Sequence, residues 1–181
     1  MRQRIPLLTA VLTASALAVL PGCGGPPVLR GAPAASATGP SRDPGEFSRQ
    51  VDVGGGRKLW LSCKGSGAPT VVLESGLHDS SDTWNLTETR PPVPKAPAVF
   101  PGVAAFARVC TYDRPGTIRY TNPAALTTRS TPRTGTRSLG ALEADLDRVL
   151  TSAHVPGPYL LVGHSFGGMI TRLYAQRHPE K

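Results

Sequence analysis

At 181 residues the chain has room for one domain with a core, and 39% hydrophobic with 18% charged residues fits a globular chain that also carries a polar fraction. The formal charge is +8, but the arginines stand singly rather than in a stripe, and no aromatic–basic interleaving or recognised module accompanies them. Nucleic acid is therefore not an expected partner; a diffuse positive surface suits solubility or loose attraction to an anionic envelope.

Met1-Arg2-Gln3-Arg4 is a short basic region, and residues 5–20 form a mostly apolar run. That length is marginal for a spanning helix and suits the hydrophobic part of a signal peptide. The run ends in Leu20-Pro21-Gly22-Cys23, which resembles a bacterial lipobox. Residues 1–22 are expected to be a signal peptide and Cys23 a lipidated residue, giving an exported protein of the cell envelope anchored in the membrane. The alternative is ordinary cleavage further on, after Ala37, with secretion. Residues 24–46 are Gly, Pro, Ala and Ser with almost nothing large. Such a stretch cannot bury enough apolar area to offset its ordering entropy, which predicts a disordered linker.

Order is expected from Phe47. Phe47, Arg49, Val51 and Val53 alternate with polar residues, Gly54-Gly55-Gly56 punctuates, and Lys58-Leu59-Trp60-Leu61-Ser62-Cys63 follows, which predicts a β-hairpin. Thr70-Val71-Val72-Leu73 has no alternation and suits a strand buried on both faces. After a proline-rich passage, residues 103–108 are expected to be helical and 108–112 to form the next buried strand, ending at Asp113. Residues 117–137 are polar, rich in Thr and Arg, and predict a long surface excursion. Leu139, Leu142, Leu146, Val149 and Leu150 make one helical stripe with Ser138 as its cap. Pro156-Gly157-Pro158 breaks the chain, and Tyr159-Leu160-Leu161-Val162 predicts a third buried strand. It leads into Gly163-His164-Ser165-Phe166-Gly167-Gly168 and then a helix over 169–178 with Ile170, Leu173 and Tyr174 inward. Strands alternating with helices imply an α/β fold with a mostly parallel sheet covered on both faces.

Gly-x-Ser-x-Gly at 163–167 lies between a predicted strand and a predicted helix, as a nucleophile elbow requires. A turn tight enough to push a side chain outward strains the serine backbone, and Gly163 and Gly167 leave space where a β-carbon would collide. Ser165 is thus the candidate nucleophile. The Phe166 N–H, at the start of the helix, points to where an oxyanion would form. Cys63 and Cys110 remain open between a disulfide, which export would permit, and two buried thiols.

These segments together resemble the α/β-hydrolase superfamily, and within it exported bacterial members with GHSFGG elbows. Thr70-Val71-Val72-Leu73 followed by Glu74-Ser75-Gly76-Leu77 is similar to the family's oxyanion loop, so the resemblance assigns the second oxyanion N–H to Leu77. Val109 to Gly116, ending Tyr-Asp-Arg-Pro-Gly, resembles the fourth strand and its exit. Arg172-Leu173-Tyr174-Ala175 and His178-Pro179-Glu180 resemble the helix after the elbow. Residues 47–181 are thereby expected to be the amino-terminal portion of an α/β-hydrolase domain. About five of the family's typical sheet of about eight strands would be present, a truncated fold with an uncovered edge. The family's sheet order sets the second strand beside the fourth, which implies a Cys63–Cys110 disulfide. The implied activity is hydrolysis of carboxylic esters or similar small acyl substrates by a serine esterase. The alternative is a non-catalytic envelope lipoprotein that uses the fold for binding.

Ser165 needs a base oriented by an acid, which this family supplies after later strands. The sixteen residues after Ser165 contain His178 and Glu180 but no Asp. A helix carries His178 roughly 18 Å from the serine end, too far to act as base. His164 is expected to be a non-catalytic residue inside the elbow, His78 to be a loop residue, with a surrogate base as the alternative, His154 to end a surface helix, and Asp113 to be structural rather than a substrate contact. The triad Asp and His are therefore expected to lie outside these residues, leaving this chain alone inactive. No zinc-ligand spacing, phosphate loop or dinucleotide fingerprint is present, and no cofactor is implied.

Overall fold

Two strands joined at a glycine turn open the fold: β1 (Phe47–Gly54) and β2 (Arg57–Lys64) pair antiparallel with Val51 opposite Leu59. The period of two turns Val51, Val53, Leu59, Leu61 and Cys63 to one face, where all are buried. The computed structural model describes residues 45–87, 96–126 and 129–181. The leader at 1–22, the lipidation candidate Cys23 and nearly all of the expected linker lie outside the described residues.

β3 (Thr70–Glu74) and β4 (Val109–Tyr112) are buried along their whole length, as their unalternating apolar runs predict. A small antiparallel ribbon, β5 (Ile118–Arg119) with β6 (Ala125–Leu126), stands apart from the main sheet. With β7 (Tyr159–Gly163) the main sheet has the order β1-β2-β4-β3-β7. β3 runs parallel to both β4 and β7, whereas β2 is antiparallel to both of its neighbours, so β2 alone opposes the other four.

Helices cover both faces. On one side, α1 (Val99–Ala104) and a 3-10 turn (Ser81–Asn85) bring Phe100 and Trp84 onto Val71, Leu73 and Val109. On the other, α2 (Leu139–Ser152) and α3 (Gly167–Arg177) bury Leu142, Leu146, Val149, Leu150, Ile170 and Tyr174 against Leu59, Leu61, Val72 and Tyr112. Ser138 caps α2 as expected, its hydroxyl accepting the Ala141 N–H at 3.2 Å.

Cys63 and Cys110 stand directly opposite each other on β2 and β4, with Cα atoms 4.1 Å apart, and form a disulfide. The pairing implied by the family's sheet order is therefore present.

Three expectations change. The helix expected at 103–108 lies earlier, at Val99–Ala104. Pro101 falls in its first turn, where a missing N–H costs no helical bond, so the proline is no barrier there. The excursion at 117–137 is partly interior. Ser130 is fully buried; its hydroxyl accepts the Trp60 N–H at 2.8 Å and donates to the Asp113 carbonyl at 2.7 Å. Thr131 exchanges hydrogen bonds with Lys58 at 2.8 Å, so this segment completes the exposed backbone of β2. Finally, β7 is not buried on both faces. It sits at the sheet edge, and Leu160 is 54% exposed.

Candidate active site

Parallel pairing of β3 and β7 brings their carboxyl ends together, with Glu74 opposite Gly163. The His164 N–H extends this pairing to the Glu74 carbonyl at 3.0 Å. The loop after β3 and the turn after β7 therefore emerge side by side, at the end of the sheet where α/β proteins place their chemistry.

Ser165 occupies the left-handed region with φ 52°, the strained conformation that the elbow demands. A β-carbon on Gly163 would lie 2.6 Å from the Gly168 backbone, and one on Gly167 would lie 2.3 Å from the Glu74 carbonyl oxygen. Both contacts are with backbone, so only glycine allows the turn to close and α3 to start against β3. The Gly167, Gly168 and Met169 N–H groups bond three residues back, to His164, Ser165 and Phe166. The N–H groups of Phe166 and Leu77 have no acceptor among the described residues. Both residues line one cavity of 400 Å³.

The loop that carries Leu77 is held from beneath by Arg114. This buried guanidinium donates to Glu74 Oε1, to the Ser75 carbonyl at 2.9 Å and to the Gly76 carbonyl. In a trans peptide the carbonyl and the following N–H point in opposite directions. Fixing the Gly76 carbonyl on Arg114 thus turns the Leu77 N–H to the other side. Burial pushes the Glu74 carboxyl above its ordinary value, against the pull of Arg114. Burial, then the Glu74 carboxylate beside it, push the Tyr112 hydroxyl well up. Arg114 was legible in the sequence only as part of the Tyr-Asp-Arg-Pro-Gly resemblance; its role depends on strand order.

The histidines separate cleanly. His164 braces the oxyanion loop: a β-carbon on Gly76 would meet its Nδ1 at 3.0 Å and Asp79 Oδ2 at 2.8 Å, and its ring stands edge-on to Trp84. Asp79 in turn accepts the Tyr120 hydroxyl at 2.5 Å. His78, itself at φ 65°, lines the cavity, but its side chain has no carboxylate partner among the described residues to orient it as a base. His154 is exposed at the end of α2. His178 Nε2 is committed to Glu143 at 2.9 Å, between α2 and α3. Asp113 is fully buried and accepts the Ser81 N–H at 2.9 Å, the Ser81 hydroxyl at 2.8 Å and Arg129 Nε at 2.6 Å. These bonds tie the end of β4 to neighbouring loops and fit a structural part. A larger recess of 620 Å³ at the hairpin end of the sheet contains no elbow residue.

A family model described as alpha/beta hydrolase fold matches residues 69–181, from the start of β3 through α3. The chain belongs to the α/β-hydrolase fold family. This hydrolase-fold chain is 30% identical to an uncharacterized protein of Schizosaccharomyces pombe, over 67% of the chain and 24% of that protein. It is similar in structure to lip1 of Acinetobacter baumannii, which carries a lipase name, with TM-score 0.54 and 28% identity over 75% of this chain and 38% of that one. It shares its fold with epoxide hydrolase VrEH1 of Vigna radiata, with TM-score 0.55 and 19% identity over 75% of this chain and 35% of that one. The chain spans well under half the length of each of these relatives.

Proposed function

We propose that the protein is a serine hydrolase of carboxylic esters or related acyl substrates. The observation that carries this reading is the elbow: Ser165 at φ 52°, between glycines that backbone contacts oblige, beside two N–H groups without acceptors among the described residues. Ser165 Oγ attacks the carbonyl carbon and its proton passes to a histidine base. The Leu77 and Phe166 N–H groups hold the oxygen as it becomes an oxyanion. Collapse expels the alcohol and leaves an acyl-serine, which water then cleaves. One such backbone donor contributes on the order of 10²–10³ in rate. The lipase name of the Acinetobacter relative is consistent with this substrate class.

The mechanism requires a histidine and an acid that the described residues do not bring to Ser165. The alternative reading is a non-catalytic envelope lipoprotein that binds through the same fold. Export and lipidation at Cys23 belong to both readings, and the Cys63–Cys110 disulfide suits an oxidising compartment. The two readings part on labelling of the full-length native protein by a fluorophosphonate probe. The hydrolase reading expects labelling that Ser165→Ala abolishes; undiminished labelling of that variant removes Ser165 as nucleophile, and no labelling of the native protein favours the binding reading.

A further inference from the structure

The cavity that Leu77 and Phe166 line is also lined by arginines. Arg133 and Arg137 line it, and Arg133 also lines the adjoining 620 Å³ recess together with Arg57 and Arg148. Asp145, whose side chain is 1% exposed, is the carboxylate that meets three of these four guanidinium groups. Asp145 holds Arg57 at 2.7 Å, lies 3.4 Å from Arg137 and reaches Arg148 only at 3.9 Å. Arg133 is exposed and has no ion-pair or hydrogen-bond partner among the described residues. The hairpin's own acid, Asp52, is turned onto the Gly54 N–H at 2.8 Å.

Several like charges around one buried acid repel one another and raise the free energy of the folded chain. Arg137 shows the crowding: its guanidinium is held below its ordinary value, first by burial, with repulsion from Arg114 and Arg133 adding to it against the pull of Asp145. Arg133 lines both recesses and engages no partner among the described residues.

We propose that these arginines form a subsite for an anionic group, a carboxylate or a phosphate, carried by the substrate in the cavity that Leu77 and Phe166 also line. Guanidinium groups bind such anions through paired N–H donors, and Arg133 engages none of its donors among the described residues. The position of the anion relative to the reacting carbonyl rests on the hydrolase reading above. The anion site itself rests on the arginines.

The test compares kcat/KM of the full-length protein for the 4-nitrophenyl half-ester of glutaric acid and for 4-nitrophenyl valerate, its uncharged counterpart. The half-ester is expected to be preferred, and Arg133→Ala to cut that preference about tenfold, through KM, the size of one charge-assisted hydrogen bond. Arg172→Ala, which removes an equal charge from the exposed side of α3, is expected to leave the ratio alone. No preference in this pair or in the lipid pair below, a preference that survives Arg133→Ala, or an equal loss in Arg172→Ala overturns the subsite. A second pair, dihexanoyl phosphatidylglycerol against dihexanoyl phosphatidylcholine, distinguishes sources: preference in this pair alone assigns a lipid headgroup, and preference in the glutarate pair alone a soluble carboxylate. Calorimetric titration of glutarate and of inorganic phosphate into the Ser165→Ala protein separates the two readings. Binding weakened by Arg133→Ala, with neither ester cleaved by the native protein, keeps the anion site and removes the hydrolase. Cleavage without preference and without anion binding does the reverse.

Discussion

Two buried carboxylates face the same end of the sheet and are treated in opposite ways. Glu74 has one arginine, and that arginine also binds the Ser75 and Gly76 carbonyls, so its donors are consumed inside the protein. Asp145 stands among more arginines than it can neutralise. The first arrangement is closed and shapes a loop; the second leaves charge available at a cavity wall. Burial alone therefore does not say what an ion pair is for. What matters is whether its donors are already satisfied.

The largest expected effect comes from breaking the closed pair. Arg114→Met leaves Glu74 fully buried without its counter-charge, and loss of one partner of a buried pair costs about 3–5 kcal/mol. The sign with pH follows from the raised Glu74 carboxyl. In the unfolded chain it ionises near the ordinary value, about 4.3. In the folded variant, without Arg114, it keeps its proton to higher pH than in the native protein. Folding then takes up a proton between those two values, so the variant's stability is retained in acid and falls as pH rises through the folded value. Urea unfolding at pH 5 and pH 8 is expected to show the larger deficit at pH 8. An equal deficit at both would mean that Arg114 acts by packing rather than by charge. Adding Glu74→Gln should recover part of the loss at pH 8 and little at pH 5.

The difference between the two sites also marks how much the sequence alone could show. The elbow was legible because its constraint is local: Gly163, Ser165 and Gly167 meet within one turn. So was α2, whose stripe and Ser138 cap lie in one continuous segment. Asp145 could have been noticed, since it stands on the buried stripe between Leu142 and Val149, where an acid needs a partner. Its partner Arg57 was not legible, because they are 88 residues apart and meet only once β2 packs on α2. Ser130 was missed for a similar reason: a hydroxyl that completes a distant strand leaves no periodic trace. The disulfide came through the family's strand order, not through the spacing of Cys63 and Cys110.

A smaller effect is expected at the open site. Asp145→Asn keeps the shape but removes the negative charge, leaving Arg57 and Arg137 partly buried with weaker acceptors. A hydrogen bond to a charged group contributes about 1.5–3 kcal/mol, and a loss toward the lower end of that range is expected because both arginines keep some solvent. Phosphate affinity should rise in the same variant, since a competing carboxylate has gone. Lost stability accompanied by lost affinity would instead mean that Asp145 orients the arginines, and the contrast with Glu74 would weaken.

Arg148→Ala should change stability least. Its guanidinium lies 3.9 Å from Asp145 and is 56% exposed, so the contact is screened and contributes about 0–1 kcal/mol. Its charge nevertheless belongs to the wall of the recess, where it adds to the field that an anion meets. The expected result is an unfolding midpoint close to that of the native protein, together with weaker phosphate binding whose dependence on salt is shallower. A shifted midpoint with unchanged binding would make Arg148 part of a closed pair like Arg114, and the surplus charge around Asp145 would then be structural.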